Sequence, residues 1–221
     1  MATETAHLSM MAGDLEAPLV EQREESQAHF ALLVRRARAG DATAFERIME
    51  ETERKVVATA WRMLGNREDA RDAAQEVYLR VYKYLDRFKP EQDFQGWLYR
   101  ITVNVCRDAA RKRRATSGGE EFPAHGANEE RAALENLSGG ADAERGAIIA
   151  QQRAIVARAL ATLPEKERAA LVLRDMEGLT TEEVARILRS RPVTVRSQVS
   201  SARTKVKIYC ERLLKKRGRE A

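Results

Sequence analysis

The sequence predicts an all-α protein: two small helical domains joined by a flexible acidic linker. Three observations carry that expectation. Aromatic residues make up only 5% of the 221 residues and charged ones 33%, a balance that favours helices rich in Ala, Leu, Arg and Glu over sheets. Apolar residues recur at helical spacing from about Ser26 to Arg114 and again from Ala147, with no useful strand-like alternation. Between them, Thr116 to Gly146 reads TSGGEEFPAHGANEERAALENLSGGADAERG, rich in Gly, Ala and acid. Such a stretch buries too little apolar surface to offset its ordering entropy, and a transient helix near 128–137 is the most it is expected to form.

The first periodic stretch breaks at AGD (39–41), LGN (64–66) and FKPEQD (88–93), which gives four helices. In NREDARDAAQEVYLRVYKYLDRF, Ala70, Ala74, Val77, Val81 and Leu85 form the buried stripe, and Asp69, Asp72, Gln75, Glu76 and Lys83 project outward. Asp69, Asp72 and Glu76 fall at i, i+3 and i+7. Like charges so spaced cost an isolated helix roughly 0.2 to 0.5 kcal/mol per pair, so the stripe is either a solvated face or a surface for a basic partner. In DFQGWLYRITVNVCRDAARKRRA, Trp97, Leu98, Ile101, Val105 and Ala109 face inward. Asn104, Asp108 and Arg111 share the opposite face at i, i+4 and i+7, followed by Lys112, Arg113 and Arg114. An amide and a carboxylate beside guanidinium groups can address bases as well as phosphates, which a purely basic helix cannot. Phe94 and Trp97 are either core or a platform on which exposed bases stack.

In TLPEKERAALVLRDMEGLTTEEVARIL, Pro164 suits a first helical turn, Gly178 a helix end, and Thr180 with Glu183 a capping box. A short RSR turn then leads to Pro192 and a second helix, the spacing of a helix-turn-helix. In that second helix Val195, Val199, Ala202 and Val206 make the inward stripe. Arg196, Ser197, Ser200, Ser201 and Thr204 face outward, flanked by Thr194, Gln198 and Arg203. Short hydroxyls, an amide and guanidinium groups at the leading end of such a helix suit base-edge and phosphate contacts, and the basic run KVKIYCERLLKKRGRE lies directly behind them.

Several function classes lose support. Cys106 and Cys210 are far apart and lack metal-ligand spacing, so neither a disulfide framework nor a zinc module is indicated, and no metal or other cofactor is expected. There is no Gly-rich phosphate loop and no HExxH or CxxC motif, and His7, His29 and His125 lie in weakly structured segments, so no catalytic residue is assigned. No apolar run approaches the roughly 20 residues of a membrane span, and the first 27 residues are too acidic for a signal peptide, so a cytoplasmic protein is expected. The sequon at Asn136 is then a chance match. The net charge of +5 is moderate but segregated, which leaves a polyanionic partner open.

Four stretches in order, DARDAAQEVYLRVYKYLDRF, FQGWLYRITVNVCRDAARKRR, LPEKERAALVLRDMEGLTTEEVARIL and VTVRSQVSSAR, resemble the two conserved domains of bacterial extracytoplasmic-function (ECF) sigma factors. The resemblance implies an alternative sigma factor that binds core RNA polymerase and reads the −10 and −35 promoter elements. It implies an N-terminal extension over 1–27, sigma domain 2 over 28–115, a linker over 116–147, sigma domain 4 over 148–214 and a basic tail over 215–221.

Asp69, Asp72, Gln75 and Glu76 would dock on the clamp helices of the largest polymerase subunit. Lys89, Phe94, Gln95, Asn104, Asp108, Arg111, Lys112, Arg113 and Arg114 would face the −10 element and a flipped base, with Lys89 to Gly96 as the specificity loop. Thr194, Arg196, Ser197, Gln198, Ser200, Ser201 and Arg203 would face the −35 duplex, and domain 4 would meet the flap region of the second-largest subunit. An anti-sigma partner and a nucleoid-associated holoenzyme follow by the same resemblance.

Two departures stand out: Gln198 and Ser201 occupy positions where the family usually carries Arg. Two fewer cations predict a shallower salt dependence of −35 binding, by about 0.9 in logarithmic slope per lost phosphate contact. The other reading of the chain, a polymerase-independent helix-turn-helix regulator, would call for a ligand-binding or receiver domain in place of the acidic helix and the Asn104 face.

Overall fold

The computed structural model describes residues 24–89, 91–116, 152 and 154–220, all of them helical or in short connections. Helix α1 covers residues 24–38, starting inside the expected extension, and is followed by α2 (Ala42–Leu64), α3 (Arg67–Tyr84) and α4 (Phe94–Thr116). The breaks seen in the sequence are glycine stops joined to side-chain caps. Gly40 and Gly65 take left-handed φ values of 92° and 80°, which a Cβ would strain, and Gly65 N–H closes α2 on the Trp61 carbonyl at 2.8 Å. Asp41 then caps α2, accepting from Ala44 N–H, and Asn66 caps α3, accepting from Asp69 N–H at 2.7 Å. Hydrogen bonds from Thr43 and Arg36 hold the Asp41 carboxyl down to about 2.

The core of this domain is made by the stripes the periodicity predicts. Ala70, Ala74, Val77, Val81 and Leu85 are all buried, against Val34, Ile48, Val56 and Ala60. Phe94, only 1% exposed, stacks on Phe30 with centroids 4.9 Å apart and meets Phe88 edge-on. That aromatic cluster pins the start of α4. Asp93 caps α4 through the backbone N–H groups of Gln95 and Gly96. A Cβ at Gly96 would lie 2.8 Å from the Asp93 carboxylate, so the glycine is what lets the cap close.

The C-terminal domain comprises α5 (154–161), α6 (Glu165–Leu171), α7 (Thr181–Leu188) and α8 (Pro192–Glu220). The capping box at Thr180 and Glu183 is present, and Arg189, at φ 51°, makes the tight turn between α7 and α8. Val195, Val199 and Ala202 are buried as expected. Helix α8 runs on to Glu220, so the expected basic tail is a continuation of the helix. A π-helical turn, Val172–Met176, follows α6 and has no signature in the sequence. It ends the helix one residue short of Glu177. Buried Arg168, 4% exposed, lies across the end of α5 and donates to the carbonyls of Leu160, Ala161 and Leu163.

The two domains pack against each other. Arg168 extends across the boundary to the Met63 carbonyl at the end of α2, 2.9 Å away. Glu177 enters the N-terminal domain and accepts hydrogen bonds from Thr59, Arg62 and Tyr99. The expected linker and its helix near 128–137 lie outside the described residues.

Candidate nucleic-acid interface

Three surfaces carry the residues singled out by sequence. On α3, Asp72 and Gln75 are exposed and Glu76 is half-buried. Asp69 sits apart from them: Arg113 of α4 pairs with its carboxylate at 2.7 Å, and the Asn66 amide donates to the same oxygen at 2.6 Å. Its charge is thus largely spent inside the domain. Glu76 pairs with Arg80, which also reaches Asp108 on α4 at 3.0 Å. Two residues here escaped the sequence reading: Leu79 and Tyr82 are 66% and 69% exposed on the outward arc of α3, with Phe45 edge-on to the Tyr82 ring. Their signal was available, since Leu79 follows Glu76 by one helical turn on the outward face.

On α4, Asn104, Arg111, Lys112 and Arg114 are exposed and Arg113 is half-buried. Asn104 makes no hydrogen bond among the described residues, so its amide keeps a donor and an acceptor for another molecule. Asp108 is exposed and lies between Arg80 and Arg111, at 3.0 and 3.9 Å, so its charge is shared with two guanidinium groups. Phe94 departs from expectation: buried between Phe30 and Phe88, it offers no face to a base. Trp97 is half-buried against Phe88 and Phe94, and Gln95 donates to Ser26 Oγ at 3.2 Å. Lys89 is exposed on a loop that Arg38 anchors by donating to the Leu85 and Phe88 carbonyls. Cys106, on the same helix, is 1% exposed, and burial pushes its thiol up to about 12, which makes it inert near neutral pH.

On α8, Thr194, Arg196, Ser197, Ser200 and Arg203 are exposed. Ser201 turns toward α6 and donates to Glu167 at 3.1 Å, and Gln198 is half-buried, its buried Oε1 without a hydrogen-bond partner among the described residues. The helical wheel places Ser201 outward and Gln198 on its flank, but Ser201 meets Glu167 of α6 there. Arg203 is held in a two-pronged pair by Asp175, at 2.6 and 2.7 Å. Sequence reasoning also missed Arg174 and Thr181, which join Arg196, Ser200, Arg203 and Thr204 around an open depression. Among these cations Arg174 and Arg196 have no ion-pair partner among the described residues.

This arrangement defines a class: a helical protein that joins an amide-and-cation helix, beside an acidic helix face with exposed Leu79 and Tyr82, to a helix-turn-helix. Residues 48–116 match the family model Sigma-70 region 2, and residues 153–206 match Sigma-70, region 4. The chain is 34% identical over 180 residues to the ECF RNA polymerase sigma-E factor of Escherichia coli K12, covering 78% of this chain and 89% of that protein. It is 31% identical over 190 residues to the RNA polymerase sigma-H factor of Pseudomonas aeruginosa, covering 83% and 94%.

Among solved structures it is similar in fold to CnrH in complex with the cytosolic domain of CnrY, at TM-score 0.59, 23% identity and coverage of 83% and 97%. It is also similar to the sigma factor RpoE in complex with the anti-sigma factor NepR from Bartonella quintana, at TM-score 0.56, 19% identity and coverage of 76% and 96%. The chain belongs to the extracytoplasmic-function family of RNA polymerase sigma factors.

Proposed function

We infer that this chain is an alternative sigma factor that binds core RNA polymerase and directs initiation at promoters bearing −10 and −35 elements. The observation that carries the reading is the occurrence, on adjacent helices of one domain, of the acidic α3 face and of the α4 face, where the exposed Asn104 amide makes no hydrogen bond among the described residues and lies near a run of cations. A regulator acting without polymerase has no use for the first of these.

Residues 28–115 are proposed as the domain that docks on core and opens the −10 element, and 148–214 as the domain that holds the −35 duplex. Asp72, Gln75 and Glu76 supply charge for the basic surface of the clamp helices, and Leu79 and Tyr82 supply the apolar anchors, the residue types that dominate interface energies. Asn104 takes a melted base, and Arg111 to Arg114 hold its backbone. Arg196, Thr194, Ser197, Ser200 and Arg174 meet the −35 duplex. An anti-sigma partner is proposed because CnrH and RpoE are each seen with a bound partner protein. No helix among the described residues is long and apolar enough to cross a membrane; action in the cytoplasm on nucleoid DNA is proposed from the family the chain belongs to.

The docking assignment is tested by Asp72→Lys with Glu76→Lys. The pair should weaken binding to purified core polymerase at least tenfold, measured by fluorescence anisotropy of a labelled chain, while binding of the isolated chain to DNA is retained. Wild-type affinity for core would overturn it.

A further inference from the structure

Val193 is a large apolar side chain on the surface proposed to meet duplex DNA, and packing within the chain does not account for it. It is 62% exposed; of the large apolar side chains among the described residues, only Leu79 and Tyr82, on the other domain, are more so. Its place is set by the helix it opens. Pro192 starts α8, the Val195 N–H closes the first turn on the Arg191 carbonyl at 3.1 Å, and buried Val195, Val199 and Ala202 seat the helix in the core of its domain. At 3.6 residues per turn, Val193, Ser197, Ser200 and Thr204 then form one column, within about 60° of arc, on the side opposite Val195 and Ala202. All four are exposed. Arg196 stands beside the column, and Arg174 and Arg203 join it around the open depression on that flank.

Cations along one flank suit phosphates, which leaves the column to face base edges, with the first residues of the helix nearest to them. The serine and threonine hydroxyls both donate and accept, so they can bond to either kind of base-edge group. Val193 can do neither. Set against a base-edge donor or acceptor, it would displace water and return no hydrogen bond, which is unfavourable. The apolar group that a base pair presents in the major groove is the thymine C5 methyl. A β-branched side chain, stiff about its first torsion, offers two methyls in a fixed direction to such a partner.

We propose that Val193 is a specificity-determining residue of the −35 contact: it packs on a thymine methyl in the major groove and so selects a T·A pair at that position. The proposal rests on the assignment of α8 to the −35 duplex.

The test uses holoenzyme assembled with the full chain, and a duplex that this holoenzyme selects from a pool of random sequence. Each thymine of the upstream block, on either strand, is replaced in turn by uracil, which removes the methyl and leaves the hydrogen-bonding edge intact. Affinity of the wild-type holoenzyme should fall about fourfold at one thymine, the ratio expected when one buried methyl group is lost. Val193→Ala puts a good helix former at an exposed position and leaves the fold in place. It should bind the thymine duplex about fourfold more weakly and respond to uracil at that position by less than about twofold, since the two changes remove the same contact. Equal sensitivity to uracil in the two holoenzymes, or an upstream block in which no thymine responds, would overturn the proposal. Arg196→Ala is measured alongside. A fall in its affinity for the duplex upholds the −35 assignment whatever Val193 does; unchanged affinity would show that α8 does not meet the duplex, and the proposal would fall with that assignment.

Discussion

Asn104→Ala is expected to reduce promoter opening by roughly tenfold to a hundredfold while leaving core binding and folding unchanged. The amide is exposed and makes no hydrogen bond among the described residues, so its removal costs the fold within about 0.5 kcal/mol. In the complex it is the polar group on the α4 face able both to donate to and accept from the edge of an unpaired base. A well-placed pair of such bonds is worth about 1 to 3 kcal/mol, and each 1.4 kcal/mol is a factor of ten. Unstacking and unpairing a base costs a few kcal/mol, so losing that capture shifts the balance back toward closed duplex. Permanganate reactivity of thymines in the −10 region, measured on holoenzyme with mutant and wild-type chains, checks it. Loss of core binding in place of loss of opening would mean that this face belongs to the polymerase.

Arg168→Met is expected to give the largest loss of stability of any single change discussed. The guanidinium donates to four carbonyls, those of Leu160, Ala161, Leu163 and Met63, at 2.8 to 3.2 Å from a site only 4% exposed. Burial lowers the group to about 10, opposed by Glu165 and assisted by Arg113 and Arg114, and it still carries its proton at neutral pH. Methionine keeps most of the aliphatic volume but none of the donors. Several buried carbonyls are left unsatisfied, each costing about 1 to 3 kcal/mol before water enters, so a net loss of about 3 kcal/mol is expected. For a domain of this size that lowers the melting temperature by roughly 10 to 20 °C, followed by circular dichroism. Arg168→Lys should recover only part of this, since an ammonium cannot span four acceptors arranged for a planar fork. A melting temperature within 2 °C of wild type in Arg168→Met would show that water replaces the donors at no cost.

The parts of the molecule legible in the sequence are those set by local geometry. Val195, Val199 and Ala202 are buried because a helix that turns its basic face outward must turn them inward. Gly40, Gly65, Asn66 and the Thr180–Glu183 pair mark helix ends because stops and caps act within a few residues. Asn104 was legible for the same reason: on α4, outward and polar coincide. What escaped depends on contacts distant in the chain. Glu177 meets Thr59 across 118 positions, and nothing around it in DMEGL distinguishes it from a solvated acid. Phe94 at the start of a helix serves equally as core or as stacking surface until Phe30, on another helix, settles it. Ser201 looked outward, and Gln198 flanked it, because the wheel treats a helix as having one covered side, whereas Ser201 of α8 also meets Glu167 of α6.

Promoter selection by the reconstituted holoenzyme tests the central claim most directly. Core polymerase is incubated with this chain and a pool of templates randomised over the 40 base pairs upstream of a reporter, and the templates that yield run-off transcripts are sequenced. Transcripts should require the chain, and the selected templates should share two separated sequence blocks, the upstream block degraded by Arg196→Ala and the downstream block by Asn104→Ala. Transcription that is equal without the chain, or templates that share no sequence block, would contradict the assignment of a two-element promoter-reading sigma factor.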